Sequence, residues 1–371
     1  MGLFGAIIVL PASIPSNCSA AYPANRTNLF GVSSYTGTSE SDFRLAPAAY
    51  NHAKACYDRE YLFQFSEIDP DIHRQAEVQA SAKNGCTPGQ PGCSLEVPTE
   101  PYHPVYFMIN GRSMPDIMDT NYAVQYPHQP YNGDPHMHPG ELVLLRIIGQ
   151  GRWQHPFHEH ANHVRILARD GNLIRTPDGN ALAGPLLFTT TTTPGQAMDG
   201  IFQYTGKGLN YDMYGHNPNS SDSLAKLPCN PDGNGYNTGN PAVVNYYEWC
   251  QDHLKPIQVA PFGDVAGGGP TTLPDPTILT NGPWFGGSPY LGPDATTRAT
   301  FGTVGPGGNV STTGTTPPSG TIANNPSTEA AFSFMWHSHN EREITTNNIF
   351  PGGMLMMMLV DSREFVIDES N

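Results

Sequence analysis

The sequence predicts an all-β sandwich carrying long loop insertions, and three observations carry that prediction. Thirty-nine glycines and 36 prolines make up about a fifth of the 371 residues, while charged residues are only 14%. That composition belongs to long ordered loops on a β scaffold, not to a helical protein. Apolar runs of strand length recur along the chain, at Val105-Tyr-Phe-Met-Ile109, Leu142 to Ile148, Val164 to Ala168, Met198 to Thr205 and Gly353 to Val360, with turn residues between them. The length allows one large or two ordinary domains and is ample for a sizeable core.

Taken in order, residues 1–10 are an apolar run that lacks the basic flank of a signal peptide. From about 11 to 98 the pattern is irregular, and short aromatic pieces such as Tyr57 to Phe65 sit between Pro, Ser, Asn and Asp. This stretch reads as a connector ordered in part by cysteines. Asn17 and Asn25 head formal glycosylation sequons within it. Regular strand grammar begins at Tyr102 and defines a domain over 99–371. That domain is interrupted at about 206–328 by a Gly-, Asn-, Pro- and Thr-rich insertion of the length that lids and binding loops have.

The chemistry concentrates in two places. His155-Pro-Phe-His-Glu-His160 opens one strand, and Trp336-His-Ser-His339 closes another. Side chains alternate along a strand, so His158 and His160 share a face, expected to be the core-facing one, and His155 takes the other. A lone histidine near a loop end is ordinary; two H-x-H pairs on strands of one domain point to a metal site, and four imidazoles suit copper, zinc or iron. A third pair, His136-Met-His138, precedes Pro-Gly in a turn, and His163 lies just beyond the first motif. Neither is expected to ligate metal. Met354, Met356, Met357 and Met358 crowd the last strand, where alternation prevents all four from facing one ion and favours core packing.

The two histidine motifs resemble the H-P-x-H-x-H and H-C-H motifs of multicopper oxidases. Phe107-Met-Ile-Asn-Gly-Arg-Ser-Met-Pro115 also resembles the segment that opens the last domain of those enzymes. The resemblance implies a cupredoxin-like Greek-key sandwich and copper as cofactor. It further implies that His158, His160, His337 and His339 are half of the eight histidines around a three-copper, oxygen-reducing cluster. His155 would bind a type 1 copper, but the cysteine of that centre is replaced by Ser338, its next histidine by Glu343, and no cysteine follows Cys250. A blue centre needs a thiolate, so none is expected in this domain. The run from Met335 to Met354 most resembles large bacterial multicopper oxidases linked to manganese oxidation. The implied activity is oxidation of a small reductant or a metal ion such as Mn(II) or Fe(II), with dioxygen as acceptor.

Residues 2–9 repeat the Gly, apolar run and Val spacing of residues 353–360. By the same resemblance they would be the closing strand of an upstream cupredoxin domain, and that domain or a second chain would complete the copper cluster. Six cysteines, all outside the ligand motifs, favour disulfides and a secreted, periplasmic or cell-surface location. Cys86 and Cys93 are spaced as a locally closed loop. The formal charge of −15 argues against nucleic acid and anionic membranes, and no apolar run is long enough to span a bilayer. A copper-binding protein without turnover and a structural surface or filament subunit are the competing readings.

Overall fold

Tyr61, Phe63 and Phe65 alternate with Glu60, Leu62 and Gln64, and this period of two makes Arg59–Ile68 (β1) a ten-residue strand. The computed structural model describes residues 4–18, 43–208, 226–240, 243, 245–254, 289–291, 332–360 and 367. Most of the 206–328 insertion, Asn25 and residues 1–3 lie outside them. The one α-helix among these residues, Pro70–Ala82 (α1), starts where Asp69 accepts from the backbone N–H groups of Asp71 and Ile72 and Pro70 occupies the first turn.

The remaining strands are Tyr106–Ile109 (β2), His136–Met137 (β3), Leu142–Gly149 (β4), His155–Glu159 (β5), Val164–Arg169 (β6) and Asn172–Leu173 (β7). They continue with Leu186–Leu187 (β8), Thr189–Thr192 (β9), Ala197–Gln203 (β10), Pro289–Leu291 (β11), Phe332–Ser338 (β12) and Leu355–Val360 (β13). One sheet runs β2-β1-β4-β10-β6-β7, with β8 beside β6; the other runs β3-β13-β12-β5-β9, with β11 beside β12. The all-β, two-sheet sandwich expected from the sequence is the fold of the described residues.

Tyr61, Phe63 and Phe65 of β1, Val143, Leu145 and Ile147 of β4, Phe157 of β5 and Phe334 and Trp336 of β12 meet between the sheets in one buried cluster. The methionines of β13 and Met354 just before it belong to it, as core packing requires: Met354, Met356, Met357 and Met358 are all buried. A second cluster on the outer face of β4 joins Leu144 to Tyr57, Ala49 and Ala55, held by the Cys18–Cys56 disulfide. Cys86–Cys93 closes the local loop its spacing predicts, and Cys229 pairs with Cys250.

One expectation meets a different structure. The stretch read as an irregular connector contains β1, which pairs in parallel with β4 and antiparallel with β2 inside the first sheet. A parallel neighbour lies far along the chain, so only the assembled sheet reveals the partner. Residues 4–10, read as a closing strand, lie outside every strand here; Ile7 and Val9 are 93% and 84% exposed. Among the described residues no helix is long and apolar enough to cross a membrane.

Candidate metal centre

β5 and β12 are antiparallel neighbours in which His337 stands opposite His158 and Ser338 opposite Phe157. Opposed residues share a face, so the register alone puts His158 and His337 together. His160 donates its backbone N–H to Met335 and His339 donates its own to Pro156, which extends the pairing by one step at each end. All four imidazoles thus lie on one side of the sheet. Their ring centroids are 4.9 Å apart for His158 and His339, 5.0 Å for His158 and His160, and 5.2 Å for His160 and His337.

That side is not the core-facing one. Along β5 the buried positions are His155, Phe157 and Glu159, while His158 is half-buried; His339 is exposed. Alternation separates the histidines as the sequence predicts, but the assignment of faces is reversed. Phe157 of β5 and Phe334 and Trp336 of β12 are large apolar side chains on one face, and the burial of Phe157 and Trp336 against β1 and β10 makes it the inner face.

On the outward face the electrostatics favour neutral imidazoles. Burial, followed by repulsion from His337 and His339, pushes the His158 pKa down to about 4. Burial likewise lowers that of His337, against the opposing hydrogen bond to the Ser338 carbonyl. His337 Nδ1 lies 2.7 Å from that carbonyl oxygen, which can only accept, so Nδ1 carries the proton and Nε2 carries the lone pair. His337 Nε2 therefore accepts from the His160 Nε2–H at 3.2 Å, a contact in which a bound ion would replace the proton. A tetrahedral ion with bonds of about 2.0 Å to two imidazoles separates their nitrogens by about 3.3 Å, so this pair fits one ion. His158 Nδ1 is held 2.7 Å from Thr189 Oγ1, a contact that fixes the ring as a ligand's outer partner does. No three of these imidazoles bring ring nitrogens within 4.8 Å of one another. The cluster offers ligand pairs, which suits a centre completed by donors from elsewhere.

No protein-family model matches the chain, and no curated protein matches its sequence. Among solved structures it is similar to a blue copper oxidase from Nitrosomonas europaea, at 12% identity and a TM-score of 0.31 over 81% of this chain and 43% of that one. It is similar to the multicopper oxidase mgLAC at 11% identity and a TM-score of 0.31, over 84% of this chain and 46% of that one. A laccase from Botrytis aclada shares 17% identity with a TM-score of 0.23, over 40% of this chain and 23% of the laccase. The chain spans less than half the length of each of these proteins. The sandwich itself rests on this chain's own two sheets.

The inward face of the same strands has different chemistry. His155, fully buried, places Nε2 3.0 Å from Glu67 Oε2 and Nδ1 2.9 Å from Glu343 Oε2. Burial opposes a charge there, but Glu343 and Glu67 override it and raise the His155 pKa to about 9. Burial works against the Glu67 carboxylate too, yet His155 and the backbone N–H groups of Arg152 and Trp153 bring its pKa below the usual value. Ser338 donates its hydroxyl proton to Glu343. The structure therefore puts His155, Ser338 and Glu343 together, with both imidazole nitrogens facing carboxylates. Two inward positions further along β5, Glu159 is buried with its pKa pushed up by desolvation to about 8, against the hydrogen bond from Thr190.

The other singled-out residues fall elsewhere. His136 is buried beside Asp134, 3.1 Å away, and the buried His138 donates its backbone N–H to Glu141. The His163 ring packs 5.1 Å from Phe188. Cys229, Glu248 and His253 also bring ligand atoms within 4.8 Å, but the sulfur is bonded to Cys250. Sequence reasoning missed Glu67 and Thr189. Glu67 had a readable signal, since it continues the alternating β1 pattern as a charge on the Phe63 and Phe65 side of the strand.

Proposed function

We propose that this chain is the copper-binding cupredoxin part of a multicopper oxidase. His158, His160, His337 and His339 hold copper jointly with imidazoles from another domain or chain. The observation that carries this is the convergence of two H-x-H pairs from β5 and β12, with His160 and His337 nitrogens 3.2 Å apart. Neutral imidazoles are the ligand form, and the lowered pKa values of His158 and His337 supply them at neutral pH.

Within this reading the residues have distinct roles. His160 and His337 clamp one ion between strands, and Thr189 orients His158. His155 is a buried cation, and no type 1 copper is assigned here because its nitrogens face carboxylates and Ser338 offers no thiolate. Bound copper would supply electron transfer from a small reductant or a metal ion such as Mn(II) or Fe(II) to dioxygen. Residues 1–10, with Ile7 and Val9 exposed, would join the sheet of the partner that brings the remaining histidines, in a secreted, periplasmic or cell-surface setting that keeps three disulfides oxidised.

Anomalous scattering at the copper edge tests the proposal. Peaks are expected beside these four imidazoles, and a copper-loaded preparation with no peak within bonding distance of them overturns it. The copper-loaded chain alone should show no intense blue band, because among the described residues no cysteine is free. Such a band would reveal a recruited thiolate.

A further inference from the structure

The side chain of Glu343 has no part in the metal centre as described, yet it touches both strands that build it. It is fully buried in the 3-10 turn Glu341–Ile344 that follows His339. Its backbone is anchored from the far side, because Met354 donates its N–H to the Glu343 carbonyl at 2.7 Å. That approach requires Gly353, where φ is +58° and a Cβ would stand 2.0 Å from the same carbonyl oxygen. The carboxylate then spreads its two oxygens. Oε1 accepts from Asn340 Nδ2 at 3.0 Å, while Oε2 accepts from the Ser338 hydroxyl and faces His155 Nδ1 at 2.9 Å. Asn340 N also donates to Ser338 Oγ at 3.2 Å.

Residues 338 and 340 bracket His339, the most exposed of the four histidines. His155 begins the strand that carries His158. We propose that Glu343 is a positioning residue for the centre: one carboxylate grips the strand on both sides of His339 and, through His155, ties that grip to the strand bearing His158. Partners that hydrogen-bond a ligand directly typically change metal affinity by about 10–100-fold when removed, and a grip on the residues flanking a ligand should act at the lower end of that range. The copper arm of this inference rests on the function proposed above; the metal-free arm does not.

The test uses the full chain with Glu343→Gln, whose amide NH₂ replaces one accepting oxygen by a donor. Glu67→Gln is the comparison, since it removes the other carboxylate of His155 without touching residues 338–340. In the metal-free protein, side-chain NMR should show the His339 ring losing order in Glu343→Gln and keeping it in Glu67→Gln. With copper(II), Glu343→Gln should bind at least about tenfold more weakly with a changed EPR spectrum. Glu67→Gln should lower Tm and keep the wild-type spectrum, a separation that general destabilisation does not produce. An ordered His339 ring and copper affinity within twofold of wild type in Glu343→Gln overturn the proposal. If that variant does not fold, Ser338→Ala removes one arm of the grip and should give a smaller shift of the same kind; an unchanged His339 ring there overturns it equally. Wild-type protein that takes up no copper, with His339 loosened in Glu343→Gln, would sink the copper reading and leave the positioning role standing.

Discussion

His155 and His158 stand three residues apart on one strand and have opposite charge preferences, with pKa values of about 9 and about 4. The inner imidazole is buried between two carboxylates; the outer one is half-buried among other imidazoles. Burial disfavours the charged form at both positions, so burial alone does not separate them. The neighbours do: carboxylates on both nitrogens outweigh desolvation, whereas further imidazoles add to it. One side of β5 thereby holds a proton-bearing strut, and on the other His158 is kept as a neutral donor.

Substitutions on the inner face should have the largest effect. Replacing His155 by Phe strands Glu67 and Glu343 in the core, and removing one partner of a buried ion pair costs about 3–5 kcal/mol. A large drop in Tm is expected by calorimetry. His337→Ala, on the outer face, should change metal-free stability by less than about 1 kcal/mol yet, on the proposed function, abolish copper binding at the His160–His337 pair, measured by copper titration. Equal stability losses in the two variants would show that the faces are not functionally separate.

The pH dependence sharpens the same contrast. The His155 pKa is 6.5 unperturbed and about 9 in the fold, so its stabilising contribution is complete below about 6.5 and is lost as pH rises through about 9. Glu159 acts in the same direction, its pKa moving from 4.5 to about 8, so its contribution is lost as pH rises through that window. His158 is the reverse: stability falls as pH drops from 6.5 through about 4. Metal-free stability should therefore decline between about pH 6.5 and 9, followed by chemical denaturation across pH. Glu159→Gln should remove the part of that decline below about pH 8 and keep the part due to His155.

Much of the centre was legible in the chain. The H-x-H spacing on apolar strands placed His158 with His160 and His337 with His339, and the short Cys86 to Cys93 spacing gave its disulfide. The alternating aromatics of β1 were equally legible, but Pro- and Asn-rich flanks masked them; their parallel partner β4 begins at Leu142. Glu343 was visible only as a departure from a motif. Its contacts with Ser338 and Asn340 are local, but the one with His155 spans 188 positions and requires both strands in place.

What the sequence determined by itself was the two-residue period, and hence that His155 must face away from His158 and His160. Periodicity carries no information about which side is covered. That was decided by tertiary structure, because burying Phe157 and Trp336 against the first sheet stabilises the fold far more than exposing them would, and it carried His155 inward with them. Once inside, an imidazole becomes a ligand, a neutral packer or a cation according to what the opposite sheet presents. β1 presents Glu67, and the turn after β12 presents Glu343.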